Sequence, residues 1–318
     1  MASTLTEAAK YTNDMLRKGV LEEIVKDSPV LQRMKWIDVV GNAYAYLRER
    51  TQPTADFYAP GDVWSENTGD VYRVTATITI LGGDADTDNF IQATRSDKTD
   101  IEAENIQAKA KATKHTYLDR FYYGNSAVST KEFDGLHRMI LTGGEGATEL
   151  VNQSIHEGAA ATGSGLNVSN LDLMITKRIR DGKPDILLMS PEIQIKLTQY
   201  VRGKANLFTT KRDSYGDELM HWNNVALVYD DFLLQTEAIA SGTYSAKTGG
   251  ATSSIFAVRF GTKDLLGLQN GALTTKDIGQ LESKDATRHR IKWYVGMALL
   301  RTIGIGIIDG ITDVAVAD

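Results

Sequence analysis

Apolar residues recur at helical spacing near the start of the chain. Leu5, Ala9, Thr12, Leu16, Val20 and Ile24 fall three or four apart, which predicts an amphipathic helix over residues 4–27, weakened in the middle by Gly19. Ser28 and Pro29 supply an N-cap and a first helical residue, so SPVLQRM begins a second short helix. From Ile37 the period shortens to two. AYAYLRERT (43–51) and VYRVTATITIL (71–81) both alternate, and the segment between them, from Gln52 to Asp70, holds Pro53, Pro60, Gly61 and Gly69. These are the arms of a hairpin with a turn-rich tip. In the second arm Tyr72, Val74, Ala76, Ile78 and Ile80 share one face, and Val71, Arg73, Thr75, Thr77 and Thr79 share the other. A two-stranded ribbon is marginal alone and needs something to lie against.

The helical period returns at Thr99–Tyr123. Thr99 and Glu102 form a capping-box pair, Ala103, Ile106, Ala110, Thr113, Tyr117 and Phe121 make one face, and Gly124-Asn125 ends the helix. At ~1.5 Å per residue this is a rod of nearly 40 Å. Residues 158–168 (GAAATGSGLNV) are a break, after which the pattern becomes α/β. Ser169 with Asp172 caps a helix that runs through Arg180, and Gly182 and Pro184 stop it. DILLMS is a buried strand, and Ser190-Pro191-Glu192 opens another helix with Ile193, Leu197, Tyr200 and Val201 apolar. Strands follow at NVALVYD and SIFAVRF, on either side of a Gly/Ser/Thr-rich loop at 240–254. The last segment, residues 288–311, is one long apolar strand region, with a bend or bulge at Gly304 and Gly306.

Composition narrows the chemistry. With no cysteine, disulfides, thiolate metal sites and thiol catalysis are excluded together. The net charge is −6 and the basic residues are scattered, which lacks the clustered cationic face of a tight nucleic-acid binder. No apolar run has signal-peptide or membrane-spanning length, so the chain is expected to be made and folded in the cytosol.

The most pointed chemical candidate is GGDADTDNF (82–90), where Asp84, Asp86 and Asp88 alternate as at the opening of a calcium loop. An EF-hand loop starting at Asp84 would need glycine at position 6 and glutamate at position 12, and those positions hold Asn89 and Arg95. The segment therefore reads as a solvated turn between strand and helix. The five histidines (115, 137, 156, 221 and 289) show no metal spacing and read as surface or interface residues. GIGIID at 304 lacks the third glycine of a dinucleotide fingerprint, no P-loop or G-x-S-x-G motif occurs, and GSGL at 163 falls in the break. No catalytic, cofactor-binding or metal residue is therefore assigned.

The order of parts (arm, projecting hairpin, long helix, α/β insert, final long strand) resembles the major capsid protein of tailed bacteriophages, in the Hong Kong 97-type fold also used by encapsulin shells. LGGDADTDNFIQ (81–92) looks like that family's link from extended loop to spine helix, so the aspartates mark a junction. FYYGNSAVSTKEFDGL (121–136) looks like the segment after the spine helix, ending in Glu132, Phe133, Asp134, Gly135 and Leu136. RIKWYVGMALLRTIGIGIIDGI (290–311) resembles the final peripheral strand with its Trp-Tyr-x-Gly. The resemblance covers nearly the whole chain.

It implies an α+β fold with an N-terminal arm (1–36), an extended-loop β-hairpin (37–82), a peripheral domain with the spine helix (83–150), an α/β axial domain (151–285) and a C-terminal peripheral strand (286–318). It further implies hexamers and pentamers in an icosahedral shell, the phage head of a virion assembled in the host cytoplasm. That shell would enclose double-stranded DNA in nonspecific contact, with separate scaffolding, portal and decoration proteins as possible partners, no membrane and no cofactor. Some members crosslink an extended-loop lysine to a neighbour's asparagine; here no lysine lies between Trp36 and Asp97, so that crosslink is not expected. The arm helix begins within a few residues of Met1, so scaffolding is expected to be separate or dispensable. The alternatives are an encapsulin-like shell holding a cargo enzyme and, in a different class, a soluble α/β enzyme built on residues 166–275.

Overall fold

The computed structural model describes residues 28–51, 53–95, 101–141, 153–158, 162–179, 182–204, 209–212, 218–240 and 243–317. The predicted helix over 4–27 and the Thr99 half of the capping box lie outside them. The chain forms two compact units. One comprises residues 1–42, 77–135 and 267–297, the other 43–76, 136–266 and 298–318.

The first unit is built on the long helix Ile101–Tyr123. Its buried face holds Ile106, Ala110, Thr113, Tyr117 and Phe121, as the 3.6-residue period predicts. Tyr117 has no exposed surface and is the hub of an aromatic cluster. Its ring lies 5.1 Å from Trp293, 5.9 Å from Trp36 and 5.6 Å from Phe133. Its hydroxyl donates to Met34 Sδ at 3.3 Å. Trp36 belongs to a short strand, Trp36–Asp38, that runs parallel to Gly267–Gln269.

Gly124 and Gly135 close the segment after the helix by direct backbone approach. Gly135 N donates to Gly124 O at 2.9 Å, and a Cβ on either glycine would stand within 2.7 Å of backbone atoms. Glu132 pairs with Arg120 of the long helix at 3.2 Å, Phe133 enters the core and Asp134 Oδ1 accepts from Ser126 N, so each residue of the Glu-Phe-x-Gly motif has a structural reason.

The aspartates are placed differently from expectation. Thr79–Asp88 is a continuous strand, antiparallel to the long strand Ala286–Leu299 over its whole length. The other edge of Ala286–Leu299 takes Thr274–Gln280. The second hairpin arm accordingly stops at Thr77, not Leu81. The alternation breaks at Ile78, whose N–H bonds to Asn42 O, and Ile80 emerges exposed. Gly296, in the Trp-Tyr-x-Gly stretch, lets Thr77 O approach to within 2.5 Å of where a Cβ would stand. Only Asp88 serves as a junction: its Oδ1 accepts from Phe90 N and Ile91 N and opens the short helix Asn89–Arg95.

The second unit carries a seven-stranded sheet in the order Ser154–His156, Ile305–Thr312, Thr252–Val258, Ile186–Met189, Val225–Tyr229, Glu218–Trp222, Thr209–Arg212. Its central strands, Ile186–Met189 and Thr252–Val258, are buried throughout, and the first, ILLM, reads accordingly as a continuous apolar run. Helix Pro191–Gly203, capped by Ser190 as expected, packs Ile193, Leu197 and Val201 into this core.

Three further expectations are corrected here. The cap after the break is Asn167, whose side chain accepts from Ser169 N, and helix Val168–Leu173 passes into a π-helical turn, Met174–Arg178. The segment 240–254 holds the antiparallel pair Ala238–Ala240 and Thr243–Ala246 and the start of strand Thr252–Val258, rather than a loop. The apolar run 288–311 is two strands divided by a 3-10 turn, Thr302–Gly304. Ile305–Thr312 lies in the seven-stranded sheet, not with residues 286–297. The turn forms around Asp264, whose carboxylate accepts bidentate bonds from Arg259 and Arg301. A side chain at residue 304 would meet that carboxylate at 2.9 Å, so glycine is required.

Candidate assembly surfaces

The hairpin pairs Ala43–Thr51 with Asp70–Thr77, and its two faces are unequal. At ~3.3 Å per residue each arm spans roughly 25–30 Å. On one face Tyr44, Tyr46, Tyr72, Val74 and Ala76 are half-buried and Arg48 is buried. On the other, Leu47, Val71, Arg73 and Thr75 are exposed.

Beyond the paired arms the tip, residues 53–69, forms no backbone ladder and is held by its own side chains. Tyr58 stacks on Trp64 with ring centroids 4.4 Å apart. Tyr58 Oη lies 2.8 Å from Ser65 Oγ and accepts from Ser65 N; these bonds lower the phenol's pKa. Asn67 Nδ2 donates to Thr54 Oγ1, Asp62 Oδ2 accepts from Ala59 N, and Gly61 turns the chain at φ +100°. A tip organised in this way still leaves Phe57, Val63 and Trp64 107%, 92% and 78% exposed. Burying a side chain of this kind stabilises by ~1.5–3 kcal/mol, so an ordered loop that holds such groups outward has the character of a contact surface.

The aspartate strand shows why the calcium reading fails. Period-two alternation sends Ala85 and Thr87 inward, where Asn105 Nδ2 of the long helix donates to Thr87 Oγ1. It leaves Asp84, Asp86 and Asp88 on the outer face. The register sets Asp86 opposite Arg288 and Asp84 opposite Arg290. Arg288 chelates Asp86 at 2.6 and 2.8 Å, Arg290 chelates Asp84 at 2.7 and 2.8 Å, and Lys284 adds a bond to Asp86. These arginines hold both carboxyls below the usual carboxylate range. Cations of the chain thus occupy the positions that a metal would need, and no cluster of three His, Cys, Asp or Glu suited to a metal occurs among the described residues.

The histidines are more structural than expected. His137 is buried, with Nε2 2.9 Å from Glu237 Oε1, while Ser254 Oγ donates to Glu237 Oε2 at 2.6 Å. A serine, a histidine and a carboxylate therefore do meet, but the carboxylate lies between the other two. The serine donates to the carboxylate and not to the imidazole, and all three side chains are buried, which is not the serine–histidine–carboxylate order of a nucleophilic triad. His289 Nε2 lies 2.5 Å from Glu102 of the long helix. His156 Nδ1 lies 2.5 Å from Asp309, which raises the imidazole pKa. His115 and His156 are exposed, and His221 Nδ1 faces Leu219 O.

No protein-family model matches the chain, and no curated protein matches it in sequence. Solved structures do match. An encapsulin chain from the holo-SrpI complex of Synechococcus elongatus PCC 7942 superposes at TM-score 0.66 with 14% identity, covering 100% of this chain and 99% of that one. A chain of Mycobacterium phage Adephagia gives 0.60 at 13% identity, with 99% of each chain covered. The capsid of a native GTA particle gives 0.59 at 14% identity, with 89% and 90% covered.

The protein has the Hong Kong 97-type capsid fold.

At 13–14% identity the likeness rests on the path of the chain. The capsid fold here combines the long helix, the two sheets and the hairpin described above in one α+β chain. No helix among the described residues is long and apolar enough to cross a membrane. The tip's apolar residues escaped sequence reading because they sit in a Pro/Gly-rich segment, where Phe57, Val63 and Trp64 have no periodicity to declare them. The available signal was composition: Phe57, Val63 and Trp64, with Tyr58, in a segment that also holds two prolines and two glycines.

Proposed function

We propose that this chain is a major capsid protein that assembles into hexamers and pentamers and closes them into an icosahedral head around a double-stranded DNA phage genome. The observation that carries the reading is the ordered tip with Phe57, Val63 and Trp64 held in solvent. The subunit leaves unburied what a neighbouring copy would cover, and at ~25 cal/mol per Å² that contact is repeated at every subunit of a shell. In this reading residues 43–77 are the extended loop, Ile101–Tyr123 is the spine helix and the seven-stranded sheet is the core of the axial domain. The absence of cysteine, and of lysine between Trp36 and Asp97, leaves noncovalent burial as the source of shell strength. A net charge of −6 suits a wall that must not adhere to a packed polyanion. Portal, scaffolding and decoration proteins are the further partners this role calls for.

The alternative reading is a compartment around a protein cargo, since the solved structures that superpose on this chain include an encapsulin as well as phage and GTA capsids. Electron microscopy and mass photometry of the recombinant protein, followed by analysis of the contents, test both. Closed shells, or rings of five and six, support the shell, and nucleic acid or a co-purified enzyme inside separates phage head from compartment. Monomers alone, even with crowding agents or scaffolding protein, would overturn both readings and reopen that of a soluble α/β enzyme.

A further inference from the structure

The root of the hairpin carries a device that the shell reading does not require. The long strand ends at Leu299, and the chain turns away at Thr302–Gly304, so the carbonyls of Leu299 and Leu300 stand where a ladder stops. Arg48 takes both, with Nη2 donating to Leu299 O at 2.5 Å and Nε to Leu300 O at 3.3 Å. The same guanidinium donates from Nη1 to the Tyr72 hydroxyl at 3.1 Å, across the hairpin, and from Nη2 to the Tyr46 hydroxyl at 3.3 Å on its own strand. Tyr46 in turn donates to Leu299 O at 2.7 Å. The guanidinium carbon lies 5.7 and 5.8 Å from the centroids of the Tyr46 and Tyr72 rings. Burial raises the Tyr46 pKa and keeps the phenol protonated as a donor.

The far side of the same turn is pinned separately. Leu300 N donates to Asp264 O, and Arg301 chelates the Asp264 carboxylate. One planar group therefore joins both hairpin strands to a segment that is itself held rigid, and it does so 8% exposed. Only an arginine presents donors in a fixed fork of this breadth; lysine is a point donor.

We propose that Arg48 is a positioning residue that sets the direction in which the hairpin leaves its unit. Every bond of this clasp lies within one subunit. Its consequence for assembly rests on the shell reading: a hairpin freed at its root would present the tip over a spread of angles, and shells would close poorly or with irregular curvature.

The test is hydrogen–deuterium exchange of the full-length, unassembled protein, read by mass spectrometry, for the wild type and for Arg48→Ala, Arg48→Lys, Tyr46→Phe and Arg73→Ala. Arg73 lies on the exposed face of the same ribbon and controls for loss of charge. Arg48→Ala and Arg48→Lys are expected to speed exchange of residues 43–51 and 70–77 by about tenfold or more, with the seven-stranded sheet unchanged. Tyr46→Phe should give a smaller increase in the same residues, and Arg73→Ala none. Hairpin exchange unchanged in Arg48→Ala, or restored to wild type by Arg48→Lys, would overturn the proposal. Should Arg48→Ala fail to fold, Tyr46→Phe and Arg48→Lys decide it. Electron microscopy of the same variants then reads the consequence, with irregular or open shells expected for Arg48→Lys and regular ones for Arg73→Ala; regular shells from a loosened hairpin would refute the geometric role. If even the wild type forms no shell, the shell reading fails while the exchange data still decide the clasp.

Discussion

Replacing Phe57 by serine separates folding energy from assembly energy. The side chain is fully exposed, so its removal takes no apolar contact from the folded subunit, and the melting temperature of the isolated subunit should hold within a degree or two. If a neighbour buries the ring on assembly, the contact is worth ~1.5–3 kcal/mol. That corresponds to a roughly 10- to 150-fold weaker association at each contact. The critical concentration for assembly, followed by light scattering and mass photometry across a dilution series, should rise by a comparable factor. A paired measurement on Val128→Ser, an equally isolated exposed apolar residue away from the tip, shows whether any loss of surface hydrophobicity has the same effect. An unchanged critical concentration for Phe57→Ser would refute the contact, and a large fall in subunit melting temperature would refute the premise that the ring stands free.

Three other perturbations probe the subunit. Tyr117→Ala should cost about 3–5 kcal/mol by opening a cavity at the centre of the aromatic cluster, whereas Tyr117→Phe, which loses only the bond to Met34 Sδ, should cost under about 1.5 kcal/mol; chemical denaturation measures both. Gly267→Ala should destabilise by about 1–3 kcal/mol, because a Cβ there would lie 2.5 Å from the Trp36 ring, with altered tryptophan fluorescence as a second readout. The third is acid stability. Asp86 has its folded pKa depressed below the ordinary 3.8 by Arg288 and Lys284, so its contribution is present above the unfolded value and is lost as pH falls below it. Asp86→Asn should therefore flatten the fall in stability below about pH 4, most visibly at low salt, since these partly exposed pairs are screened. An identical acid limb in the variant would show that the ladder contributes nothing.

Much of the architecture was legible because it follows from short-range rules. The helix face from Ile106 to Phe121, the Ser190-Pro191 cap, the buried strand Ile186–Met189 and the alternating hairpin arms each have a period or a cap that the chain displays locally. The order of those elements carried the resemblance to a capsid fold although no sequence comparison finds a relative. What local pattern could not supply was pairing. GGDADTD has the composition of a turn, and it is a strand only because Arg288 and Arg290 stand opposite its aspartates from about two hundred residues further along the chain. The run from 288 to 311 reads as one strand, because nothing near it announces that Asp264 will gather two arginines and break it.

By itself the sequence determined the long helix, the hairpin arms and the buried strand Ile186–Met189, which of their faces are apolar, and that neither cysteine chemistry nor a recognisable catalytic motif is available. Tertiary structure alone decided where the charges cancel, where the long strand ends and which apolar residues remain uncovered. The physical reason is range: propensity and periodicity act over a few residues, whereas a salt ladder, a carbonyl clasp and an exposed tip are relations between segments that only the folded chain brings together or leaves apart.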